Sequence, residues 1–275
     1  MKTAIITGAS NGIGHQTAVG LAKKKIDLIL VARNFGRLES IKNQLEQTYN
    51  INCMVYAHDL SLIESNIKFY NDVIKKYQSV EILINNVGAI FMERTQTSEG
   101  LEKTFALNHM SYFVLSNLFS KYYKKLRIVN VSSEAHRGIK LNKNDFENKY
   151  NYFGWHAYKR SKLSNIYLTY ELNKRSVTNE ITVNCLHPGL VNSDFANNNS
   201  FPFKIASNII KFFGISTVQG ALTSIYLASD EVIGDVSGLY FDKCRPRKSS
   251  HVSYDEQMSQ DLWSYSENIL SKYMK

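Results

Sequence analysis

The chain contains few prolines and few cysteines for its length. Three prolines occur among 275 residues, and no linker rich in serine, glycine or proline divides the sequence. We therefore expect one continuous domain over residues 1–275, long enough to bury a sizeable core. The three cysteines are far apart and show no CxxC or other metal-ligand spacing. Their pattern predicts a reducing compartment and no metal site.

Long apolar runs are also missing. The first predicted strand begins almost at residue 1, which leaves no room for a cleavable signal peptide or an N-terminal membrane anchor. No later run of about 18 uncharged apolar residues predicts a membrane span. We therefore expect a cytoplasmic protein.

Two kinds of catalytic motif do not occur. The seven histidines show no HxxxH or HExxH pairing, so we expect surface or hydrogen-bonded histidines rather than metal ligands. No GxSxG elbow is present, which argues against a serine hydrolase.

Positive charge is in excess, with a net charge of +9. The lysines are dispersed, and three of the four basic clusters fall near predicted helix ends, where the helix dipole favours cations. Neither a basic recognition helix nor an aromatic platform is visible, so we expect no nucleic-acid partner. A basic surface can still attract a phosphate-bearing cofactor.

Strand-like and helix-like segments alternate along the chain. The strand-like runs are rich in Ile, Leu and Val, as in strands buried on both faces of a parallel sheet. The alternation predicts an α/β Rossmann fold, a doubly wound sheet of seven parallel strands with helices on both faces. The predicted strands are Lys2–Thr7, Asp27–Val31, Asn52–Ala57, Glu81–Asn85, Leu126–Val131, Thr182–Leu186 and Gly238–Phe241. Predicted helices include Arg37–Tyr49, Leu62–Tyr77, Thr217–Ala228 and Asp255–Tyr273.

A glycine-rich turn follows the first strand. Its spacing is GxxxGxG, and it opens a predicted helix. Glycine at these positions permits a tight turn and lets a pyrophosphate approach the backbone at the helix N-terminus. The turn therefore predicts a dinucleotide site, with a plain turn as the alternative. The expected cofactor contacts are Gly8, Ser10, Asn11, Gly12, Ile13 and Gly14.

The end of the second strand predicts which dinucleotide binds. A carboxylate at this place binds the ribose 2′-hydroxyl of NAD, but here the residues are Ala32, Arg33 and Asn34. Arg33 can face a 2′-phosphate, so NADP(H) is favoured over NAD(H). The alternative is that Arg33 is a solvated loop cation.

Polar residues also follow the third and fourth strands. Asp59 and Leu60 stand where side chains can meet the adenine, and Asp59 can also cap a helix. Asn85, Asn86 and Gly88 belong to the run NNVG. The two asparagines can steady the sheet edge, and a structural role for them is at least as well supported as a cofactor contact.

Tyr158 and Lys162 are four residues apart in the run AYKRSK, which places them on one helix face. A free tyrosine has a pKa near 10 and is a poor acid or base at neutral pH. A nearby ammonium lowers that pKa, after which Tyr158 can exchange a proton with a substrate oxygen. YxxxK alone is a weak motif, so this prediction depends on the other motifs around it.

The motifs TGASNGIG, NNVG, VNVSS, YKRSK and HPG, with Asn108, occur in the order typical of short-chain dehydrogenases/reductases. The sequence resembles that family over nearly its whole length. The run TFALNHMSYFVLSNLF, the 25-residue gap from Ser133 to Tyr158, and the phrases VNCLHPGLVNSDF and DLWSYSENIL resemble its retinol-dehydrogenase-like branch. Three departures are minor: Val87 replaces alanine, Ser193 replaces a common threonine, and Asn192 replaces a common arginine.

The resemblance implies a role for each catalytic residue. Tyr158 is the general acid in reduction, while Lys162 binds the nicotinamide ribose and lowers the pKa of Tyr158. Ser133 hydrogen-bonds the substrate carbonyl, with Ser132 as the adjacent alternative, and Asn108 holds a water in a proton relay. No metal is required. Near the nicotinamide carboxamide, the implied cofactor contacts are Pro188, Gly189, Val191 and Ser193.

The resemblance also concerns substrate and assembly. Phe201–Phe213 falls in the expected substrate lid, about residues 194–215, and packing as a lid is preferred over peripheral membrane contact. The family often dimerises through helices that correspond to Gly100–Lys125 and Tyr158–Arg175, so a homodimer is a further expectation. Aromatic residues before the catalytic helix can wall an apolar pocket or pack ordinarily: Tyr150, Tyr152, Phe153 and Trp155.

Two functions follow from these patterns. The first is an NADP(H)-dependent oxidoreductase that transfers hydride between nicotinamide and a small apolar carbonyl or alcohol. The alternative is a non-catalytic, nucleotide-sensing regulatory protein on the same fold. The intact set of Asn108, Ser133, Tyr158 and Lys162 favours the enzyme, because a sensor is free to lose one of them.

Overall fold

One central sheet organises the fold. The computed structural model describes residues 2–176, 180–191 and 214–274. Its strands are β1 (Thr3–Thr7), β2 (Asp27–Ala32), β3 (Cys53–Ala57), β4 (Ile82–Asn85), β5 (Lys125–Val131), β6 (Glu180–His187), β7 (Tyr240–Asp242) and β8 (Arg245–Arg247). They form one sheet in the order β3-β2-β1-β4-β5-β6-β7-β8. The order reverses between β1 and β4, which is where doubly wound sheets bind ligands.

The predicted set of seven parallel strands is confirmed, since β1 to β7 all pair in parallel. An eighth strand, β8, extends the edge and pairs antiparallel with β7. Its sequence is Arg-Pro-Arg and all three residues are exposed, so no apolar pattern in the sequence predicts this strand. Proline is accepted at such an edge because it lacks the N–H that a central strand needs.

Helices cover both faces of the sheet. They are α1 (Gly12–Lys23), α2 (Phe35–Tyr49), α3 (Ile63–Lys76), α4 (Lys103–Phe105), α5 (Ser111–Tyr122), α6 (Gly154–Arg175), α7 (Thr217–Ser229) and α8 (Glu256–Ser271). A π-helical turn, Ala106–Met110, joins α4 to α5, and single 3₁₀ turns lie at Glu134–His136 and His251–Tyr254. Neighbouring strand residues such as Ile5 and Ile6 enter opposite cores, as the two-residue period of a strand requires. One core packs α1, α2 and α7 on the sheet, and the other packs α3, α5, α6 and α8.

Two predicted helices differ from the structure. The helical pattern predicted over Gly100–Lys125 covers Lys103 to Tyr122 and contains the π-helical turn. The helix that carries Tyr158 and Lys162, α6, begins at Gly154, four residues earlier than predicted. A Cβ at Gly154 would lie 2.3 Å from the carbonyl oxygen of Phe91. The glycine therefore lets the start of α6 approach the loop after β4, a contact that the local sequence pattern does not reveal.

The helices expected at a homodimer face are buried within this chain. α5 packs against α3, and its residues from Ser111 to Ser120 are buried. α6 packs against α8, whose Trp263 ring lies 5.0 Å from the ring of Phe113. The π-helical turn also contacts α8, where His109 Nε2 and Ser266 Oγ are 3.0 Å apart. The homodimer stays a prediction.

Part of the expected site lies outside the described residues. Asn192, Ser193 and Phe201–Phe213 belong to that part, as does most of the lid predicted at about residues 194–215. Within the ranges that the structure describes, no helix is both long enough and apolar enough to cross a membrane.

Candidate active site

A cavity of about 880 Å³ opens at the carboxyl ends of the central strands. Every predicted site residue in the described ranges lines it except Asn108. These lining residues are Gly8, Ser10, Asn11, Gly12, Ile13, Gly14, Arg33, Asp59, Leu60, Asn86, Gly88, Ser133, Tyr158, Lys162, Pro188, Gly189 and Val191. The sheet brings them together because the ends of parallel strands meet at one edge.

The glycine turn forms a close-packed cradle. Gly8 has a φ of +69°, a region that favours glycine, and a Cβ at Gly14 would lie 2.4 Å from the Gly8 carbonyl oxygen. Asn86 Nδ2 supports the turn by donating to the carbonyl oxygen of Thr7 at 2.9 Å. Asn11 stands at the N-cap of α1, but its side chain accepts no hydrogen bond from the helix. The helix N-terminus thus faces the cavity with donors for an anion, and the residues fit a dinucleotide pyrophosphate.

Gly14→Ala is expected to weaken dinucleotide binding at least about tenfold, because the new Cβ must displace backbone at the cradle. Titration of the protein with NADPH, followed by cofactor fluorescence, measures the effect. Gly36→Ala is the matched control, since a Cβ there meets only the side chain of Asn34 at 3.8 Å. Equal NADPH affinity for Gly14→Ala and wild type would contradict the cradle.

Two arginines stand at the end of β2. Arg33 and Arg37 are both exposed and both line the cavity. Asn34 caps α2 by accepting a hydrogen bond from the Arg37 N–H at 2.9 Å, which fixes Arg37 in the first helical turn. Burial, and secondly the charge of Arg37, lowers the pKa of His15. Arg37 was not predicted as a site residue, although its spacing four residues after Arg33 was the available signal.

Asp59 does not cap a helix, so that alternative is wrong. Its Oδ1 accepts from the backbone N–H of Ser61 at 3.0 Å and from the Ser61 hydroxyl at 2.8 Å. The cap of α3 comes from Glu99, whose carboxylate accepts from the N–H groups of Ile63 and Glu64 at 2.7 and 3.0 Å. Glu99 lies 36 residues from Ile63 in sequence, so only the fold brings it there. Asp59 still lines the cavity beside Leu60.

The two asparagines of NNVG take different places. Asn85 is fully buried, and its Nδ2 donates to Ser116 Oγ and Asn130 Oδ1, each at 2.9 Å. These bonds tie β4 to β5 and α5, which is the structural role considered for it. Asn86 lines the cavity and supports the glycine turn.

Tyr158, Ser133 and Lys162 converge at the end of β5. Tyr158 and Ser133 share a side-chain hydrogen bond, and Lys162 Nζ donates to the carbonyl oxygen of Val131 at 2.9 Å. Lys162 Nζ lies 5.8 Å from the centre of the Tyr158 ring. Ser132 Oγ instead donates to the Lys162 carbonyl oxygen at 2.7 Å and ties β5 to α6. Of the two serines, Ser133 is therefore the one bonded to Tyr158.

The prediction that the pKa of Tyr158 is lowered is wrong. Burial raises the pKa of Tyr158 to about 12, against a smaller lowering by the hydrogen bond from Ser133. Burial also lowers the pKa of Lys162 to about 7. The physical reason is that both side chains are removed from water, which disfavours the phenolate and the ammonium alike.

Asn108 lies behind the cavity wall in the π-helical turn. Its Oδ1 accepts from the Ala89 N–H at 2.9 Å, and its Nδ2 donates to the Ala89 carbonyl and to Ser161 Oγ. A Cβ at Gly88 would lie 3.4 Å from both Asn108 Oδ1 and Lys162 Nζ. Glycine therefore leaves the space between these two groups open. π-helical turns are frequent at functional sites, and the water relay through Asn108 stays a prediction.

An apolar end of the cavity adjoins Tyr158. Of the four aromatic residues expected to wall the pocket, Trp155 lines it and stacks on Tyr158 at 5.5 Å between ring centroids. Tyr150, Tyr152 and Phe153 do not line it, although the hydroxyl of Tyr152 donates to the Phe91 carbonyl at 2.8 Å. Other wall residues were not predicted from the sequence, among them Phe91, Lys103, Leu107 and Leu190. Within the described ranges, no cluster of three or more His, Cys, Asp or Glu side chains could hold a metal ion.

Comparison with known proteins identifies the family. The profile described as short chain dehydrogenase matches residues 2–201. The chain belongs to the short-chain dehydrogenase family. It is therefore an oxidoreductase acting on CH–OH or C=O groups, on a fold that binds NAD(P). Retinol dehydrogenase 14 of Mus musculus is 32% identical over 283 aligned positions, which cover 97% of this chain and 85% of that protein. The predicted retinol-dehydrogenase-like branch of the family is confirmed.

Solved structures agree with the fold of this short-chain dehydrogenase. A putative uncharacterized protein from Mycobacterium paratuberculosis superposes with a TM-score of 0.78 at 27% identity, covering 98% of this chain and 94% of that one. A short-chain dehydrogenase from Sphingobium yanoikuyae, in complex with NADPH, superposes with a TM-score of 0.67 at 20% identity. That match covers 98% of this chain and 96% of the other, and it concerns the fold alone.

Proposed function

We propose that this protein is an NADP(H)-dependent reductase or dehydrogenase of apolar carbonyls or alcohols, with Tyr158 as its general acid/base. The observation that carries the proposal is the hydrogen-bonded pair of Tyr158 and Ser133 in a cavity that also holds the glycine cradle. An acid/base group and a dinucleotide cradle in one cavity are what hydride transfer at a carbonyl requires.

Tyr158 and Ser133 have different roles at the reacting oxygen of the substrate. Bound nicotinamide supplies the hydride. Tyr158 is protonated at neutral pH because burial raises its pKa to about 12, so it begins as the proton donor that reduction needs. Ser133, bonded to Tyr158, offers a second polar group to the same substrate oxygen.

Lys162 affects the stability of the phenolate that Tyr158 becomes when it gives up its proton. When the phenol loses its proton, the phenolate lies near Lys162 Nζ, which is 5.8 Å from the ring centre. Burial lowers the pKa of Lys162 to about 7, and in its protonated form Lys162 stabilises that phenolate. The resulting ion pair forms only after proton transfer begins, so it favours the transition state over the ground state.

Arg33 and Arg37 support the choice of NADP(H). Both are exposed cations at the end of β2, where no acid is present, and neither makes an ion pair with a carboxylate of the described residues. Guanidinium groups bind phosphate oxygens with two parallel hydrogen bonds. Both arginines are therefore candidates to bind the 2′-phosphate.

Arg33→Ala is expected to weaken NADPH binding about tenfold or more and to leave NADH binding unchanged, because only NADPH carries the 2′-phosphate. The double variant with Arg37→Ala is expected to weaken NADPH binding further. Titration of each protein with both cofactors is the measurement, with Arg245→Ala on the exposed edge strand as the control. Equal losses for NADPH and NADH would contradict the assignment.

The substrate class is tested by turnover. Oxidation of NADPH by purified protein is followed at its absorbance with a panel of apolar aldehydes and ketones. The relative Retinol dehydrogenase 14 is named for an alcohol of this apolar kind, so retinal belongs in the panel. Turnover supports the enzyme. NADPH binding without turnover of any compound moves support to the nucleotide-sensing alternative.

A further inference from the structure

One charged side chain stands at the apolar end of the cavity. Lys103 lines the cavity together with Phe91, Leu107 and Trp155. Its Nζ lies 4.9 Å from the centre of the Phe91 ring and makes no ion pair with a carboxylate of the described residues. An ammonium placed against an aromatic ring, in a wall that is otherwise apolar, is available to an anion that enters the cavity.

The support beneath Lys103 is rigid. The carbonyl oxygen of Phe91 accepts the hydroxyl of Tyr152 at 2.8 Å, and Gly154 lets the start of α6 pack on the backbone of the same residue. Glu102, next to Lys103, is buried and accepts from the N–H groups of Thr104 and Phe105 at 2.7 and 2.8 Å. The backbone at Phe91 and the start of α4, which position the Lys103 ammonium, are therefore both fixed by these contacts.

One helical segment places Lys103 ahead of Leu107 and Asn108 along its axis. Lys103 and Leu107 are four residues apart and line the same cavity, and Asn108 follows directly in the π-helical turn. At about 1.5 Å per residue, Lys103 precedes Asn108 by roughly 7 Å along the axis. The apolar Leu107 lies between Lys103 and Asn108 in this segment and lines the same cavity.

The acid Glu134, which also lines the cavity, makes no ion pair with Lys103. One of its oxygens is bonded to Arg137 and the other accepts the hydroxyl of Tyr240 at 3.0 Å. The hydrogen bond of Arg137 contributes to a lowered pKa for Glu134, against the effect of burial. Both Glu134 oxygens are therefore engaged by Arg137 and Tyr240, and neither of them pairs with Lys103.

We propose that Lys103 is an anion subsite, and that the substrate is an apolar carbonyl or alcohol with a negatively charged group, such as a carboxylate, at the end away from the reacting carbon. The proposal rests on the proposed function for the position of the reacting carbon. The apolar walls bind the spacer by burial, and the ammonium selects the charged end. Uncharged apolar substrates then bind less tightly than their acidic counterparts.

Binding of a chain that cannot react tests the subsite without catalysis. Decanoate and decan-1-ol are titrated calorimetrically into wild type, Lys103→Met and Lys103→Arg, each saturated with NADPH. We expect decanoate to bind Lys103→Met about tenfold less tightly than wild type and Lys103→Arg about as tightly as wild type. Decan-1-ol is expected to bind all three equally. Equal decanoate affinity for wild type and Lys103→Met would overturn the subsite.

Turnover then tests the substrate class. Wild type is expected to reduce ω-oxohexanoate or ω-oxodecanoate with a kcat/KM about tenfold above that of the matching methyl ester, mainly through KM. Lys103→Met removes that preference, while the exposed control Lys140→Met keeps both the preference and the rate with the ester. Equal rates for acid and ester in wild type overturn the substrate class but leave the reductase intact. Loss of all turnover with intact decanoate binding counts against the reductase and not against the subsite.

Discussion

Tyr158→Phe is expected to lower kcat for carbonyl reduction by about 10²- to 10⁴-fold, the usual contribution of a general acid. The variant keeps the ring, which stacks on Trp155 at 5.5 Å, and removes only the hydroxyl that is bonded to Ser133. NADPH binding is expected to change little, because the cradle at Gly8 and Gly14 is not touched. Single-turnover oxidation of bound NADPH measures the effect on the chemical step.

The control for this prediction is Tyr150→Phe, which removes a hydroxyl from an exposed tyrosine outside the cavity wall. It is expected to keep the wild-type kcat. Retention of wild-type turnover by Tyr158→Phe would exclude Tyr158 as the acid. Loss of NADPH binding by the same variant would instead show that the phenol is needed to hold the cofactor.

Lys162→Met is expected to lower kcat/KM for reduction by about 10²-fold or more, because the phenolate of Tyr158 then forms without a cation nearby. In wild type, kcat/KM for reduction is expected to fall as pH rises past about 7. The sign follows from the charge: above its pKa of about 7, Lys162 is neutral and no longer stabilises the phenolate. A pH profile of both proteins is the measurement, and a wild-type profile flat from pH 6 to 8 would contradict it.

The same lysine makes stability depend on pH. In the unfolded chain Lys162 keeps its proton up to a pKa near 10.5, whereas in the folded protein it loses the proton above about 7. Between these values the unfolded state binds more protons, so Lys162 makes the free energy of unfolding increase with pH, by at most ~1.4 kcal/mol per pH unit. Its buried ammonium is most costly at and below pH 7.

The difference in unfolding free energy between Lys162→Met and wild type is therefore expected to move in favour of wild type as pH rises from 7 to 9. Urea denaturation at three pH values measures it. The exposed Lys124→Met serves as the control and is expected to show a difference that does not depend on pH in this range. An equally constant difference for Lys162→Met would mean that Lys162 keeps its proton in the folded protein.

Much of the site could be predicted because local patterns determine it. The turn from Gly8 to Gly14 has its own spacing, and Tyr158 and Lys162 share a helix face through their four-residue separation. The ends of parallel strands meet at one edge, so alternation of strands and helices was enough to bring these segments into one cavity. Arg37 and Lys103 were missed because the sequence does not distinguish either of them from an ordinary surface cation. Only the structure shows their neighbours across the cavity.

Other features could not be inferred from local sequence. Glu99 caps α3 from a distance of 36 residues, and the start of α6 depends on a close approach between Gly154 and Phe91. The pKa direction of Tyr158 went against the prediction, and the lowered pKa of Lys162 was not predicted. Spacing identified a tyrosine beside a lysine, but it did not show that packing excludes water from both.

The sequence by itself determined the doubly wound fold, the glycine cradle and the placement of Tyr158 and Lys162 on one helix face. These depend on periodicity, glycine geometry and helical spacing, which act over a few residues. Only the tertiary structure decided which serine meets Tyr158, which cations face the cavity, and which protonation states the buried pair adopts. Those outcomes depend on desolvation and on contacts between distant segments, and both exist only once the chain has packed.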